Sequence, residues 1–211
     1  MKLAKYIDHT ALKADASKED IKKLCEEAIK YDFKTVCINP AYLTYAKELL
    51  KNSDVMLCTV IGFPLGQNTT KVKVFEAIDA VEMGADEIDM VINIAKLKDG
   101  EYDYVENEIR EIKKAIGNRC LKVIIETCLL TDEEKLKACE LIVKAGADFV
   151  KTSTGFSTHG ATFRDVKILK DCVKDKCLVK AAGGVKTKED FNEMIKLGAD
   201  RIGTSSGTKL I

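Results

Sequence analysis

Five ionisable residues lie inside short apolar runs that read as strands. Asp89 sits in Glu87-Ile88-Asp89-Met90-Val91-Ile92. Lys122 and Glu126 share the run 121–126, Lys151 ends Phe149-Val150-Lys151, and Lys180 ends Cys177-Leu178-Val179-Lys180. A charge buried in a strand costs several kcal/mol unless it is paired. Such residues are a structural ion network, lysines turned outward, or a reactive centre. Two ammonium groups ~6 Å apart on adjacent strands, at an effective dielectric of ~20, repel by roughly 2.8 kcal/mol, about two pKa units. Desolvation acts the same way. One of the two lysines is then partly neutral near pH 7, the state a nucleophilic amine needs. An amine attacks a carbonyl and forms a Schiff base, and the iminium acidifies the adjacent carbon. A nearby aspartate positions water or moves protons. That is aldol chemistry without a metal.

A second group of residues suits a phosphate. Gly183-Gly184-Val185 follows the Lys180 run, Gly203-Thr204-Ser205-Ser206-Gly207 follows the last apolar run, and Gly155 closes Lys151-Thr152-Ser153-Thr154-Gly155. Glycines let backbone N–H groups approach an anion, and hydroxyls add donors. A bare Gly-Gly is also an ordinary turn; two Gly/Ser loops after consecutive late strands say more.

Composition narrows the alternatives. The chain has 211 residues, 46% hydrophobic, with 34 basic and 34 acidic side chains. A net charge of zero argues against a general polyanion binder such as a nucleic-acid coat. No apolar run is long enough to span a membrane, and Asp8 interrupts the N-terminus too early for a signal sequence. The eight cysteines form no CxxC pair and several lie in apolar runs, which reads as reduced thiols in the cytoplasm. With two histidines, His9 and His159, an imidazole-rich zinc site is not expected, so no metal and no cofactor is assigned.

The elements that must position these residues alternate. Strand-like runs of 3–7 residues begin at Thr35, Met56, Glu87, Leu121, Phe149, Cys177 and Arg201, with Tyr6-Ile7-Asp8-His9 as a weaker eighth. Amphipathic segments separate them. Ser17-Lys18-Glu19-Asp20, Thr131-Asp132-Glu133-Glu134 and Thr187-Lys188-Glu189-Asp190 carry N-cap signatures ahead of apolar faces. Gly84-Ala85-Asp86, Gly146-Ala147-Asp148 and Gly198-Ala199-Asp200 repeat one device, ending a helix and starting a strand. Three residues after each Asp stand Asp89, Lys151 and Gly203, which should face the same way at similar depth. Eight βα units of about 26 residues predict one α/β domain over 1–211, a closed (β/α)8 or TIM barrel with a shortened C-terminal end. An open doubly wound sheet is the runner-up, but no GxGxxG follows the first strand.

Several blocks together resemble deoxyribose-phosphate aldolases: Tyr6-Ile7-Asp8-His9-Thr10, Val36-Cys37-Ile38-Asn39-Pro40, Ile61-Gly62-Phe63-Pro64-Leu65-Gly66, Glu87-Ile88-Asp89-Met90-Val91, Leu121-Lys122-Val123-Ile124-Ile125-Glu126-Thr127, Lys151-Thr152-Ser153-Thr154-Gly155-Phe156, Val179-Lys180-Ala181-Ala182-Gly183-Gly184 and Gly203-Thr204-Ser205-Ser206. The resemblance covers nearly the whole chain. It implies a cofactor-free class I aldolase on a TIM barrel, usually a dimer or larger. It further implies that Lys151 forms the Schiff base, that Lys180 lowers its pKa, and that Asp89 works with water in proton transfer. Lys122 would support this network at the substrate. Asp8, Thr10 and Cys37 would line the acceptor side, and Gly155, Gly183, Gly184, Gly203, Ser205 and Ser206 would hold phosphate. The implied reaction is reversible cleavage of 2-deoxy-D-ribose 5-phosphate to acetaldehyde and D-glyceraldehyde 3-phosphate. Two departures stand out. Many members end in a tail with a proton-transferring tyrosine, whereas the last tyrosine here is Tyr104. Some carry a lysine where Phe156 stands, so phosphate needs other cations.

Two other readings keep the same residues. One is an isomerase or epimerase with Asp89 as general base and the lysines as clamps. The other is a phosphosugar-binding protein without turnover. His9 and His159 read as polar wall residues and Cys128 as a buried, inert thiol.

Overall fold

The computed structural model describes residues 2–211. Eight parallel strands close into a barrel in sequence order: β1 (Ile7–Ala11), β2 (Thr35–Ile38), β3 (Met56–Ile61), β4 (Glu87–Val91), β5 (Cys120–Ile124), β6 (Phe149–Lys151), β7 (Leu178–Ala182) and β8 (Arg201–Thr204). Helices α1 (Lys18–Tyr31), α2 (Leu43–Leu50) and α3 (Thr70–Glu82) follow the first three strands. Two helices, α4 (Ile94–Lys98) and α5 (Tyr102–Ile116), follow β4. Then come α6 (Asp132–Ala145), α7 (Phe163–Val173) and α8 (Lys188–Lys196). After β8 the described chain makes only a 3-10 turn at Gly207–Lys209.

The helix starts follow local chemistry. Ser17 and Thr131 form reciprocal capping boxes with Asp20 and Glu134, and Thr187 accepts from the Asp190 N–H. Each satisfies amide donors that a helix leaves free at its start. The apolar faces then pack outward-pointing strand residues, such as Val36, Ile88, Val123 and Val179, into the layer between barrel and helices. A smaller apolar cluster of Leu12, Cys37, Cys58 and Val60 fills one side of the barrel interior.

The Gly-Ala-Asp repeat has a mechanical role. Asp86 accepts from the Leu57 N–H at 2.9 Å, Asp148 from Leu121 at 2.8 Å and Asp200 from Val179 at 3.0 Å. Each carboxylate therefore ties the start of its own strand to the strand before it. Each also meets a lysine of a neighbouring helix: Lys47, Lys113 and Lys170. A one-residue slip would turn every side chain to the opposite face. These ties fix the depth at which Asp89, Lys151 and Gly203 emerge.

One buried ion pair fixes the exit of β4. Lys73 of α3 donates to the Val91 carbonyl and to Glu108 of α5, both at 2.8 Å, and Glu108 accepts from the Asn93 N–H at 3.1 Å. Burial pushes the Lys73 amine down and the Glu108 carboxyl up. Their mutual contact opposes both shifts. A side chain at Gly62 (φ +58°) would meet the Lys73 stem at 2.7 Å, so this packing requires glycine.

Candidate active site

Inward positions of a small barrel are normally aliphatic. Here β1, β4, β5, β7 and β8 place Asp8, Glu87, Asp89, Lys122, Lys180 and Arg201 there, and β6 adds Lys151. All are buried. Strand register brings them together: Asp89 pairs with Lys122, and Lys151 with Lys180, which pairs in turn with Arg201.

Asp89 is the hub. Its Oδ1 accepts from Lys122 at 2.8 Å, and its Oδ2 accepts from Lys151 at 2.7 Å and from Lys180 at 2.8 Å. Two amines bonded to one oxygen are closer than the ~6 Å assumed from sequence. Lys180 also pairs with Asp8 at 2.5 Å, Lys122 with Glu87 at 2.5 Å, and Arg201 bridges Asp8 at 2.7 Å and Glu87 at 3.3 Å. Burial pushes the Asp89 carboxyl up, but Lys122, Lys151 and Lys180 outweigh it and hold it well below the usual carboxylate range. Asp8 is held down in the same way by Lys180, Arg201 and Lys122 against its burial. For Lys122 and Lys180, burial disfavours the charge, yet the surrounding carboxylates raise both above the ordinary lysine value. Lys180 is therefore a fixed cation beside Lys151.

Cys58 completes the floor. Its thiol donates to Asp89 Oδ1 at 3.2 Å, and Lys122 donates to its sulfur at 3.3 Å. A hydrogen bond from Cys58 draws the Cys37 thiol down, and burial with that same bond pushes Cys58 up. Cys37, Cys58 and Asp89 are the one group of metal-type donors found among the described residues. Three ammonium groups bonded to Asp89 make that corner unfavourable for a cation.

Above the cluster opens a cavity of about 640 Å³. Of the cluster's four cations, only Lys151 reaches its wall. Thr10, Gly155, Gly183, Gly184, Gly203, Ser205 and Ser206 line it as well. The expectation that Asp8 and Cys37 line the acceptor side is not met. Both are buried below the cavity, Asp8 in the ion cluster and Cys37 against Cys58. Lys122 is likewise enclosed and has no wall position. Glu126 also departs from expectation, since β5 ends at Ile124 and Glu126 has left-handed backbone (φ +54°) beyond it. Its buried carboxylate accepts from the Thr154 N–H at 3.2 Å and from the Thr154 hydroxyl, pinning the loop after Lys151.

The glycines divide by role. Gly183 and Gly184 both have positive φ, +80° and +83°. A side chain at Gly160 would strike the Gly183 carbonyl at 2.2 Å, so glycine there lets the loop after β6 lie on the loop after β7. A side chain at Gly203 would press on Lys180 Cε at 3.1 Å, so Gly203 makes room for the lysine besides lining the wall.

Sequence reasoning missed several members. Glu87 and Arg201, the first residues of β4 and β8, join the cluster through Lys122 and Asp8 without having been singled out as candidates. Lys186 and Lys13 line the cavity and have no ion-pair partner among the described residues. The signal for Lys186 was its place two residues after Gly183-Gly184. His9 is bonded to Glu27 at 2.8 Å and packs on Phe33 outside the barrel, as a polar wall residue should. Cys128 is not a buried, inert thiol. It is half-buried; burial raises it, but hydrogen bonds with Ser157, Thr158 and His159 bring it below the ordinary thiol value.

A closed (β/α)8 barrel whose Gly/Ser-rimmed cavity is lined by one lysine of a buried ion cluster defines the class of this protein, a barrel enzyme. Residues 2–209 match the family described as DeoC/LacD family aldolase. The chain is 63% identical over 211 residues to a deoxyribose-phosphate aldolase of Finegoldia magna, covering 100% of this chain and 99% of that one. It is 57% identical over 214 residues to one from Caldanaerobacter subterraneus, covering 100% and 93%. Among solved structures it superposes on "QR15, an Aldolase" with a TM-score of 0.96 and 43% identity, covering 100% and 94%. It superposes on the tetrameric deoxyribose phosphate aldolase of Aeropyrum pernix with 0.90 and 36%, covering 99% and 88%. The chain belongs to the DeoC/LacD aldolase family and is a carbon–carbon lyase.

Proposed function

We propose that this enzyme reversibly cleaves 2-deoxy-D-ribose 5-phosphate to acetaldehyde and D-glyceraldehyde 3-phosphate through a Schiff base on Lys151. The observation that carries the reading is the position of a single cluster cation. All four are buried, but Lys151 lines the cavity and Lys122, Lys180 and Arg201 do not. The cluster holds four cationic groups against the three carboxylates of Asp8, Glu87 and Asp89.

The neutral amine adds to the C1 aldehyde of the open-chain sugar and gives a carbinolamine. Water leaves, and an iminium remains. The C3 hydroxyl then gives up its proton, the C2–C3 bond breaks, and its electron pair becomes the enamine. Glyceraldehyde 3-phosphate departs. Protonation at C2 and addition of water release acetaldehyde and restore the amine. Asp89, ionised and bonded to Lys151, accepts and returns protons at these steps through water. The phosphate lies against Gly155, Gly183, Gly184, Gly203, Ser205 and Ser206, with Lys186 as its cation. Thr10 faces the acceptor from β1. Names of the relatives, the lining of the cavity and the charge count support this reading. No cofactor is required for it. We place the enzyme in the cytoplasm, in keeping with its eight free cysteines, and infer that it forms a homo-oligomer, as the Aeropyrum pernix relative does.

The test is reductive trapping. Borohydride with acetaldehyde should leave an N-ethyl group on Lys151, found by peptide mapping, and Lys151→Arg should abolish it. An adduct on another lysine, or none, refutes the assignment.

A further inference from the structure

The cavity wall carries charge that the ion cluster does not supply. Besides Lys151, its charged residues are Lys13, Asp15 and Asp20 after β1 and Lys186 after β7. Lys13 and Lys186 are exposed, and neither has an ion-pair partner among the described residues. Lys13 stays unpaired although two carboxylates lie on its own segment of chain. Asp20 is committed elsewhere: it accepts from the Ser17 N–H at 2.8 Å and from the Ser17 hydroxyl at 2.6 Å, closing the cap of α1. The backbone beneath Lys13 is fixed. Its carbonyl accepts from the Ala16 N–H at 3.1 Å and from the Asn39 amide at 3.4 Å, and Asn39 also donates to the Leu12 carbonyl at 3.2 Å. Leu12 in turn is buried in the apolar cluster inside the barrel. A fixed base under an unpaired side chain lowers the cost of ordering that side chain on a ligand.

Strand order sets the two lysines on either side of one loop. β8 pairs with β7 on one side and with β1 on the other. The loop after β8, with Ser205 and Ser206, therefore lies between the segments that carry Lys186 and Lys13. Strands about 4.8 Å apart place β7 and β1 about 10 Å apart, a gap that two four-carbon stems close from both sides. A phosphate monoester near pH 7 carries about −1.5 to −2 charge on three acceptor oxygens. The hydroxyls and N–H groups of the middle loop serve the oxygens, but one lysine leaves part of that charge unmatched. Phe156, the wall residue after Gly155, is apolar and adds no cation.

We propose that Lys13 is the second cation of the phosphate site, holding the anion from the β1 side while Lys186 holds it from the β7 side. The inference rests on the phosphosugar reading given above. Lys13 takes no part in bond making at Lys151; it discriminates phosphorylated from unphosphorylated sugars. Asp15 and Asp20 share its wall, so removing Lys13 leaves two carboxylates facing the anion and costs more than one lost contact.

Calorimetric titration with glycerol 3-phosphate tests this without turnover. Lys13→Met should weaken binding about tenfold, Lys13→Arg should recover most of the loss, and Lys13→Met/Lys186→Met should weaken it further than either single change. In turnover, Lys13→Met should lower kcat/KM for 2-deoxyribose 5-phosphate about tenfold relative to unphosphorylated 2-deoxyribose, through KM. Both lysines are exposed, so these variants keep the fold. No binding to wild type, a Lys13→Met variant within twofold of wild type, an arginine variant as weak as the methionine one, or equal losses for the two sugars overturns the proposal. Trapping of wild type with acetaldehyde, which bears no phosphate, separates the two readings. An adduct on Lys151 beside an indifferent Lys13→Met refutes the second cation alone, and a tenfold loss of glycerol 3-phosphate binding without any adduct refutes the Schiff base alone.

Discussion

Replacing Asp89 by asparagine removes one charge and almost no volume, which makes it the sharpest probe of the buried cluster. In the native protein this carboxylate bonds to Lys122, Lys151 and Lys180 at 2.7–2.8 Å and is fully enclosed. Removing one partner of a buried ionic group leaves the others uncompensated and costs about 3–5 kcal/mol. For a chain of this length each kcal/mol lowers Tm by about 2–4 °C, so the melting point should fall by roughly 10 °C. The loss should depend on pH in one direction. The folded pKa of Asp89 lies well below its unfolded value near 3.8. Its contribution is complete above pH ~4. Below that, the unfolded chain takes up protons while the folded carboxylate does not, and the contribution fades by about 1.4 kcal/mol per pH unit until the folded pKa is passed. Urea unfolding of wild type and Asp89→Asn at neutral pH and at pH ~3 measures the gap. It should be constant from about pH 5 to 9 and narrower at pH ~3. A gap below about 1 kcal/mol at neutral pH, or one that widens in acid, would show that Asp89 is not the hub of a charged cluster.

Two further outcomes follow from the same geometry. Lys180→Leu removes the fixed cation paired with both Asp8 and Asp89 and should lower the urea-unfolding free energy at neutral pH by about 3–5 kcal/mol, because it leaves buried carboxylates short of a partner; a loss below about 1 kcal/mol rejects that role for Lys180. Glu126→Gln weakens the charge-assisted hold on Thr154 and its loop, so KM for a phosphorylated sugar should rise about tenfold with a smaller change in kcat; equal losses for phosphorylated and unphosphorylated aldehydes would assign Glu126 to general stability instead.

The barrel was legible because its strands and helix caps are local features. Alternating apolar runs, two complete capping boxes and three Gly-Ala-Asp turns each declare themselves within a few residues. The repeat even carried three-dimensional information, since a common register sets Asp89, Lys151 and Gly203 inward at related depths. The limits of β1, β5 and β7 were less legible because strand ends depend on the partner strand: β1 and β7 run two residues further than their apolar cores suggest, and β5 stops before Glu126. The site divided along the same line. Lysines inside apolar strands are conspicuous, and so are Gly-Gly and Ser-Ser loops. Arg201 and Glu87 were not, because each stands at a strand start, where a charge is usually solvated. Only closure of the barrel, which sets β8 beside β1, delivers Arg201 to Asp8. Likewise, sequence could pair Lys180 with Lys151 but not show that both bind one carboxylate oxygen, because Asp89 reaches them across the barrel lumen from a strand adjacent to neither. The repulsion inferred from two lysines is thus one term of a larger balance. Asp8, Glu87 and Asp89 hold Lys122, Lys180 and Arg201 away from the cavity, and Lys151 is the one cation of the cluster at the cavity wall.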